Sequence, residues 1–470
     1  MKMENLKSNF VYQIMYQILA VIVPLVTAPY ISRILGAEGI GVYSYTYSVA
    51  SYFVLFAKLG IDNYGNRTIA AARGEKLNET FSSLFVLHII ITMVVSGIYI
   101  VYLYMGNHQY KSILLIQFIY ILAEMFDVNW LFWGLEKFKL VSIRNSVIKL
   151  VTVVLIFIFV REKSDINTYC FIMACSIFLS EIVLFFMLPQ YVKFIKTSLL
   201  SSLGHLSGLC VFFIPAIAVS IYKVMDKIML GMMAGATQVG YYENSEKITT
   251  ITLSVITALG TVMLPRMTSM AVKGEKEKSL ALINKSMKII LILVVAFSAG
   301  LIGISTTLPY VFFGKEFQQC NILIIGLAFS MPFIAFANVL RMQYLIPNHY
   351  DKCYMISIIT GAVINVLINW LLIPKYYAMG AVFGTIVAEV TVCVIQASFC
   401  KKQLPIIQYI KEGIPYVIIG CVMAVSVRFI GVKLGNTLTT LVMQVSLGAV
   451  LYIGMTVIYM CLKKDEVIFH

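Results

Sequence analysis

The sequence predicts an all-α polytopic membrane protein of about 14 transmembrane helices, in two pseudo-symmetric six-helix lobes plus two C-terminal helices. Three observations predict it. Apolar residues arrive in long blocks, basic residues crowd alternate connections, and the chain repeats itself at offsets of 199 to 208 residues.

Hydrophobic residues fill 60% of 470 positions and charged residues 12%, with a mean hydropathy of +0.89. A globular domain is about half apolar and about a quarter charged. A membrane-crossing helix needs about 20 mostly apolar residues. Such segments lie near 10–34, 42–58, 80–104, 112–134, 140–160, 167–188, 206–231, 240–264, 285–308, 319–346, 354–373, 379–400, 409–430 and 437–462. The connections are short, and none has room for a soluble catalytic domain.

Taken in order, the first run is too long for a signal-peptide core and lacks a small-residue cleavage site, so it reads as an uncleaved anchor. Pro24 and Pro29 interrupt it, and Arg33 lies near its outer end. Tyr43, Tyr45, Tyr47, Tyr102 and Tyr104 fall near helix ends, where an aromatic belt is expected and where some could stack on sugars. Helix four carries Glu124 and Asp127, three apart on one face. Lys149 sits within helix five and Glu181 within helix six. Residues 189–205, with Lys193, Lys196 and His205, read as a cytoplasmic linker. Helix seven holds Pro215 and, toward its outer end, Lys223, Asp226 and Lys227. Pro332 interrupts helix ten, Arg341 follows near its end, and Glu389 sits within helix twelve. The expected domains are therefore a lobe over 1–188, the linker 189–205, a lobe over 206–400, and two additional helices over 401–470.

A formal net charge of +14 could suggest an anionic partner, but topology explains most of it. With the N-terminus inside, 24 of the 36 Lys and Arg residues fall on the cytoplasmic side, Lys58, Lys137, Lys139 and Arg144 among them. The positive-inside rule then places both termini in the cytoplasm, and no nucleic acid is needed to account for the charge. Seven of the nine cysteines (Cys170, Cys175, Cys210, Cys393, Cys400, Cys421 and Cys461) lie in or at the ends of apolar runs, and no CxxC pair exists. They read as small packing residues rather than metal ligands or disulfides. His88, His108, His205, His349 and His470 are scattered and form no recognisable site, so no metal or cofactor is expected.

The duplication is visible as GAEGIGVYSY (Gly36 to Tyr45) against GATQVGYYEN (Gly235 to Asn244). Arg73-Gly74-Glu75-Lys76 matches Lys273-Gly274-Glu275-Lys276, and Glu181 matches Glu389. Three matches in order suggest two related six-helix halves. Because six is even, the halves enter the membrane in the same sense, which makes a parallel repeat with a substrate path expected between them.

Ionisable groups inside a membrane are costly, so each needs a reason. Arg33, Lys149, Lys223, Lys227 and Arg341 are the candidate cations of a substrate path, with Glu124, Asp127, Asp226, Glu181 and Glu389 as paired or coupling acids. Pro24, Pro29 and Pro215 are the candidate gating kinks, since proline removes a backbone hydrogen bond. The competing reading stays open: acids and bases pair structurally, Arg33 snorkels to headgroups, and many static helices carry proline.

Several motifs carry a resemblance. PYISRILGAEGIGVYSYTYS (Pro29 to Ser48), KLGIDNYGNRTIA (Lys58 to Ala70), DVNWLFWGLEKF (Asp127 to Phe138), LPRM (Leu264 to Met267), FFGKEF (Phe312 to Phe317), YLIPNHYDK (Tyr344 to Lys352) and NWLLIPKYYAMGAVFGTIVAE (Asn369 to Glu389) follow one another along helices one to twelve. Together they resemble the O-antigen flippases (Wzx-type), the polysaccharide-transport branch of the multidrug/oligosaccharidyl-lipid/polysaccharide exporter superfamily. The resemblance implies a fourteen-helix, two-lobed fold in the bacterial cytoplasmic membrane. It implies alternating access and an electropositive cavity that flips undecaprenyl-pyrophosphate-linked oligosaccharide repeat units for surface polysaccharide. The family's loop motif falls on Gly60, Asp62, Tyr64, Gly65, Asn66 and Arg67. Membrane lipids, a polysaccharide polymerase and chain-length machinery are the partners such a role brings, and coupling to an ion or a proton is left open.

Two other classes compete. A drug exporter needs a carboxylate-dominated cavity, against which Lys149, Lys223 and Lys227 argue, and a major-facilitator carrier's Gly-x-x-x-Asp-Arg-x-Gly-Arg-Arg loop has only a loose echo in Asp62 to Arg67. A polymerase or lipid-dependent glycosyltransferase needs a long external loop, and no connection here is long enough.

Overall fold

A computed structural model describes residues 3–106 and 109–463. Asn107, expected on the outer side, and His108 and His470 lie outside the described residues. The α-helices begin with α1 (Met3–Lys58), α2 (Ile61–Ala71), α3 (Glu75–Met105), α4 (Lys111–Ala123), α5 (Asn129–Gly134), α6 (Phe138–Phe159), α7 (Ile166–Phe186) and α8 (Leu199–Leu203). They continue with α9 (Leu206–Ala234), α10 (Ala236–Lys273), α11 (Lys276–Ile304), α12 (Leu308–Phe312) and α13 (Cys320–Leu340). The last are α14 (Asp351–Tyr376), α15 (Ala378–Cys400), α16 (Ile406–Leu434) and α17 (Leu438–Lys463). Among the described residues every regular element is helical, and 12 segments are long and apolar enough to cross a membrane. The chain is an all-helical, multi-pass membrane protein.

The count of 12 differs from the expected 14 at two places. The first two expected helices are joined in α1, whose backbone leaves helical geometry only at Gly36 (φ 69°, ψ −178°) and stays helical through Pro24 and Pro29. The fourth is divided. It runs as α4, then a 3₁₀ turn over Glu124–Phe126, then the short α5, each piece too short to span alone. The cause is local: the Asp127 carboxylate accepts from the backbone N–H of Asn129 at 2.8 Å, an Asx turn that competes with the helical ladder and ends the preceding turn.

The chain divides into two compact units, Met1–Ile228 and Met229–His470. The division falls inside α9 rather than at 189–205, because that stretch and the first half of α9 are built into the first unit. Lys193 N–H donates to Asn78 Oδ1 at 2.8 Å and Ile195 N–H to Ser82 Oγ at 3.0 Å, laying the stretch along α3. His205 joins Tyr64 of α2 (2.9 Å) to Ser83 of α3 (3.1 Å).

In the first unit, α2 is amphipathic and turns Ile61, Gly65 and Ile69, four apart, inward. Gly65 lies against Trp130, and Gly134 of α5 against Ile69. Trp130 and Phe81 are fully buried with ring centroids 5.6 Å apart, and Leu84, Phe132, Leu184 and Leu209 close the core around them. The turn into α2 needs Gly60: its φ is 82°, and a Cβ there would lie 2.8 Å from the Phe213 nitrogen and 2.9 Å from the Leu209 oxygen of α9.

In the second unit, small residues again allow close approach, as apolar side chains gain little from leaving lipid. Gly326 meets Val382, Gly380 meets the Leu372 backbone, and Gly448 meets Val427 and Met423. At the end of α13 the ladder widens into a π turn over Arg341–Leu345.

Backbone conformation echoes the sequence repeat. Gly235 (φ 87°, ψ 166°) adopts nearly the geometry of Gly36 and likewise precedes a helix beginning with Ala. Glu136 and His349, each two residues before the start of α6 and α14, both have positive φ, 57° and 60°.

Candidate functional site

The most charged interior in the first unit is assembled from helix ends. The Lys58 ammonium, at the last turn of α1, sits 2.8 Å from Asp127 Oδ2, 3.3 Å from Asp62 Oδ2 and 3.7 Å from Glu124 Oε2. Asn129 Nδ2 donates to Asp127 Oδ1 at 2.6 Å and to Glu181 Oε2 at 2.7 Å, linking this group to α7. The Arg144 guanidinium of α6 donates through Nη2 to Asn129 Oδ1 at 2.6 Å and through Nη1 to the Ser180 carbonyl, with Glu181 Oε2 at 3.5 Å. His88 of α3 donates through Nε2 to the Glu124 carbonyl at 2.7 Å. Asp127, Glu124 and Arg144 are 1%, 5% and 7% exposed.

Four carboxylates therefore share two cations, with one amide relaying between them. Among the described residues, Glu124 Oε2 is buried with no hydrogen-bond partner and has Lys58 as its ion-pair partner. A buried group of this composition suits uptake of a positive charge, since unequal charge in low dielectric is expensive.

The structure brings Glu124, Asp127 and Glu181 together, but their cations are Lys58 and Arg144, which the sequence counts among the cytoplasmic-side basic residues. Lys149 stands apart, half-buried, with its ammonium 5.4 Å from the centre of the Tyr16 ring. Arg33 is exposed on α1. On α9, Lys223 is exposed, Lys227 half-buried and Asp226 buried, and Pro215 lies within the same helix. In the second unit, Arg341 lies on the π turn, 5.5 Å from the Tyr354 ring centre, and Glu389 is buried on α15. Sequence reading missed Lys58, Asp62, Asn129, Arg144 and His88 as one group. The available signals were Lys58 and Asp62 at i, i+4 and the Asp127-x-Asn129 spacing of an Asx turn.

Aromatic hydroxyls gather elsewhere in the first unit. Tyr43 stacks with Tyr47 at 5.7 Å, Tyr47 meets Tyr120 at 5.1 Å, Tyr43 meets Tyr169 at 4.9 Å, and the hydroxyls of Tyr43 and Tyr120 are 3.3 Å apart. In the second unit, α10, α11, α16 and α17 enclose a groove of about 670 Å³. Its walls, including Val255, Phe297, Met423, Val445 and Ile453, are overwhelmingly apolar.

Comparison with known proteins gives a consistent result. The family described as polysaccharide biosynthesis protein matches residues 6–271. A protein of Escherichia coli strain K12 assigned as an O-antigen transporter is 24% identical over 408 residues, covering 85% of this chain and 97% of that protein. The capsular polysaccharide biosynthesis protein CapF of Staphylococcus aureus is 23% identical, covering 84% of this chain and 99% of that protein. Among solved structures, the lipid II flippase MurJ in an inward closed conformation superposes with a TM-score of 0.78 at 14% identity. That superposition covers 96% of this chain and 98% of MurJ, and the two share a fold.

Proposed function

The chain belongs to the polysaccharide biosynthesis protein family, and from that premise we propose that it flips undecaprenyl-pyrophosphate-linked oligosaccharide repeat units across the bacterial cytoplasmic membrane by alternating access. It is a membrane transporter, not an enzyme. The observation that carries the substrate reading is the near full-length similarity to proteins named for O-antigen transport and capsular polysaccharide synthesis. Chemistry agrees with it. The apolar groove of the second unit suits a polyprenyl chain, the tyrosine cluster offers ring faces and hydroxyls to sugars, and the cations Arg33, Lys149, Lys223, Lys227 and Arg341 suit a pyrophosphate. The carboxylate excess around Lys58 gives a coupling proton or cation a place to bind.

The reading includes fourteen crossings, with α1 counted as two joined at Gly36 and α4 to α5 as one broken crossing, and both termini in the cytoplasm. The repeat reading likewise takes the two units as duplicated lobes. Reporters fused at Lys76, Lys278 and Lys402 should register cytoplasm, and those at Lys315 and Lys375 the outer side. The opposite assignment at these sites would overturn the crossing count.

The transport reading is tested in cells lacking the native gene. Arg33→Glu, Lys149→Glu and Lys227→Glu, each present at wild-type abundance, should block surface polysaccharide at least tenfold and leave lipid-linked repeat units on the cytoplasmic side, whereas the corresponding Ala changes should lose less. Normal polymer from all three Glu variants would remove these residues from the path.

A further inference from the structure

The first unit also holds a groove beside the charged network. It measures about 760 Å³ and runs between α6 and the end of α7. Its walls are apolar: Leu140, Ile143, Val147 and Ile148 from α6, Val183 and Met187 from the α7 side. Ile143 and Val147 are 41% and 54% exposed, so the groove continues an outward, lipid-facing stripe of α6 that also includes Leu150, Val151 and Val154. Lys137, Lys139, Arg144 and Glu136 supply its charged lining.

Cations outnumber carboxylates there by three to one. Lys137 and Lys139 form no ion pair among the described residues; their ammonium groups lie over the rings of Tyr191 (5.5 Å) and Tyr12 (4.9 Å). Both stand at the start of α6, where the helix's own N–H groups and dipole are positive and favour an anion. Arg144, 7% exposed, engages both Nη atoms but leaves Nε buried without a hydrogen-bond partner among the described residues.

We propose that this groove binds one anionic glycerophospholipid of the surrounding bilayer, its phosphate held by Lys137 and Lys139 and one acyl chain laid along Ile143, Val147 and Val183. The apolar wall suits an acyl chain, and the basic residues at the start of α6 suit a phosphate headgroup. Basic pockets between membrane helices recognise anionic headgroups in this way, each Lys near the surface adding to the attraction. Through Arg144 the lipid would touch the residue that holds Asn129 and Glu181, so occupancy of the groove would stiffen the α6–α7 pairing. This site is independent of what the protein transports.

The test uses the purified full chain and native mass spectrometry, titrating phosphatidylglycerol against phosphatidylcholine of the same acyl composition. The wild type should retain one phosphatidylglycerol at least about tenfold more tightly. The exposed double change Lys137→Gln with Lys139→Gln should abolish that preference, while Lys401→Gln with Lys402→Gln, an equal charge loss at the end of α15, should preserve it. No preference in the wild type, or equal losses in both double variants, would overturn the site. Undecaprenyl phosphate displacing phosphatidylglycerol at equal concentration would overturn the assignment to a bilayer lipid.

Discussion

Arg144→Ala should be among the most destabilising single changes in this protein, at about 3–5 kcal/mol. The guanidinium is buried between α6 and α7, and its loss leaves Glu181 without its nearest cation and Asn129 Oδ1 without a donor. The uncompensated carboxylate then disfavours the paired helices. Folded abundance by fluorescence-detected gel filtration, and thermal midpoint in detergent, should fall sharply. Arg144→Met with Glu181→Leu removes both charges and fills the space, so it should regain at least half of the loss, as buried pairs replaced by apolar residues often do. If Arg144→Ala unfolds at the wild-type temperature, the network is not a stabilising element.

Gly60→Ala should cost about 2–5 kcal/mol, from two sources that add. The residue has φ 82°, where a Cβ meets its own carbonyl at about 1–2 kcal/mol. The same Cβ would press on backbone atoms of Leu209, Phe212 and Phe213, which no rotamer change can move aside. The expected outcome is a displaced α2, seen as faster protease cleavage between Arg67 and Lys76. Gly274→Ala is the control, because Gly274 shares the left-handed geometry (φ 71°, ψ 17°) but has open space around its missing Cβ, so only the dihedral cost applies. Equal effects from the two substitutions would mean that α2 does not rest on α9.

The apolar blocks were legible because membrane helices are written in hydropathy, and each of the fourteen segments overlaps a helix, although the fourth is broken at Asp127 and Val128. What hydropathy could not show is how helices end. Asp127 breaks the fourth segment by accepting from the Asn129 N–H, a polar event spanning two residues inside an apolar run. Gly60 and Gly208 commit the start of α9 to the first unit, since Gly208 packs on the Tyr64 ring, and such packing leaves no trace in composition.

The charged network was half legible. Glu124, Asp127 and Glu181 stood out because buried acids require partners. Lys58 and Arg144 did not, because a basic residue at a helix end reads equally well as facing headgroups or as turned inward. Only the positive φ values of Leu59 and Gly60, which turn α2 back beside Lys58, distinguish the two. Lys149 shows the reverse case: central in sequence, it meets an aromatic ring rather than the acids of this network.

Flipping can be observed by reconstituting the purified chain into liposomes that carry a fluorescent undecaprenyl-pyrophosphate-linked oligosaccharide in one leaflet. Transfer is read as the fraction of label reached by a membrane-impermeant quencher on the other side. The expected result is protein-dependent transfer of this lipid, slowed at least tenfold by Lys149→Glu or Lys227→Glu. Label distributions identical to those of protein-free liposomes, from folded protein under an imposed proton or sodium gradient of either sign, would contradict it.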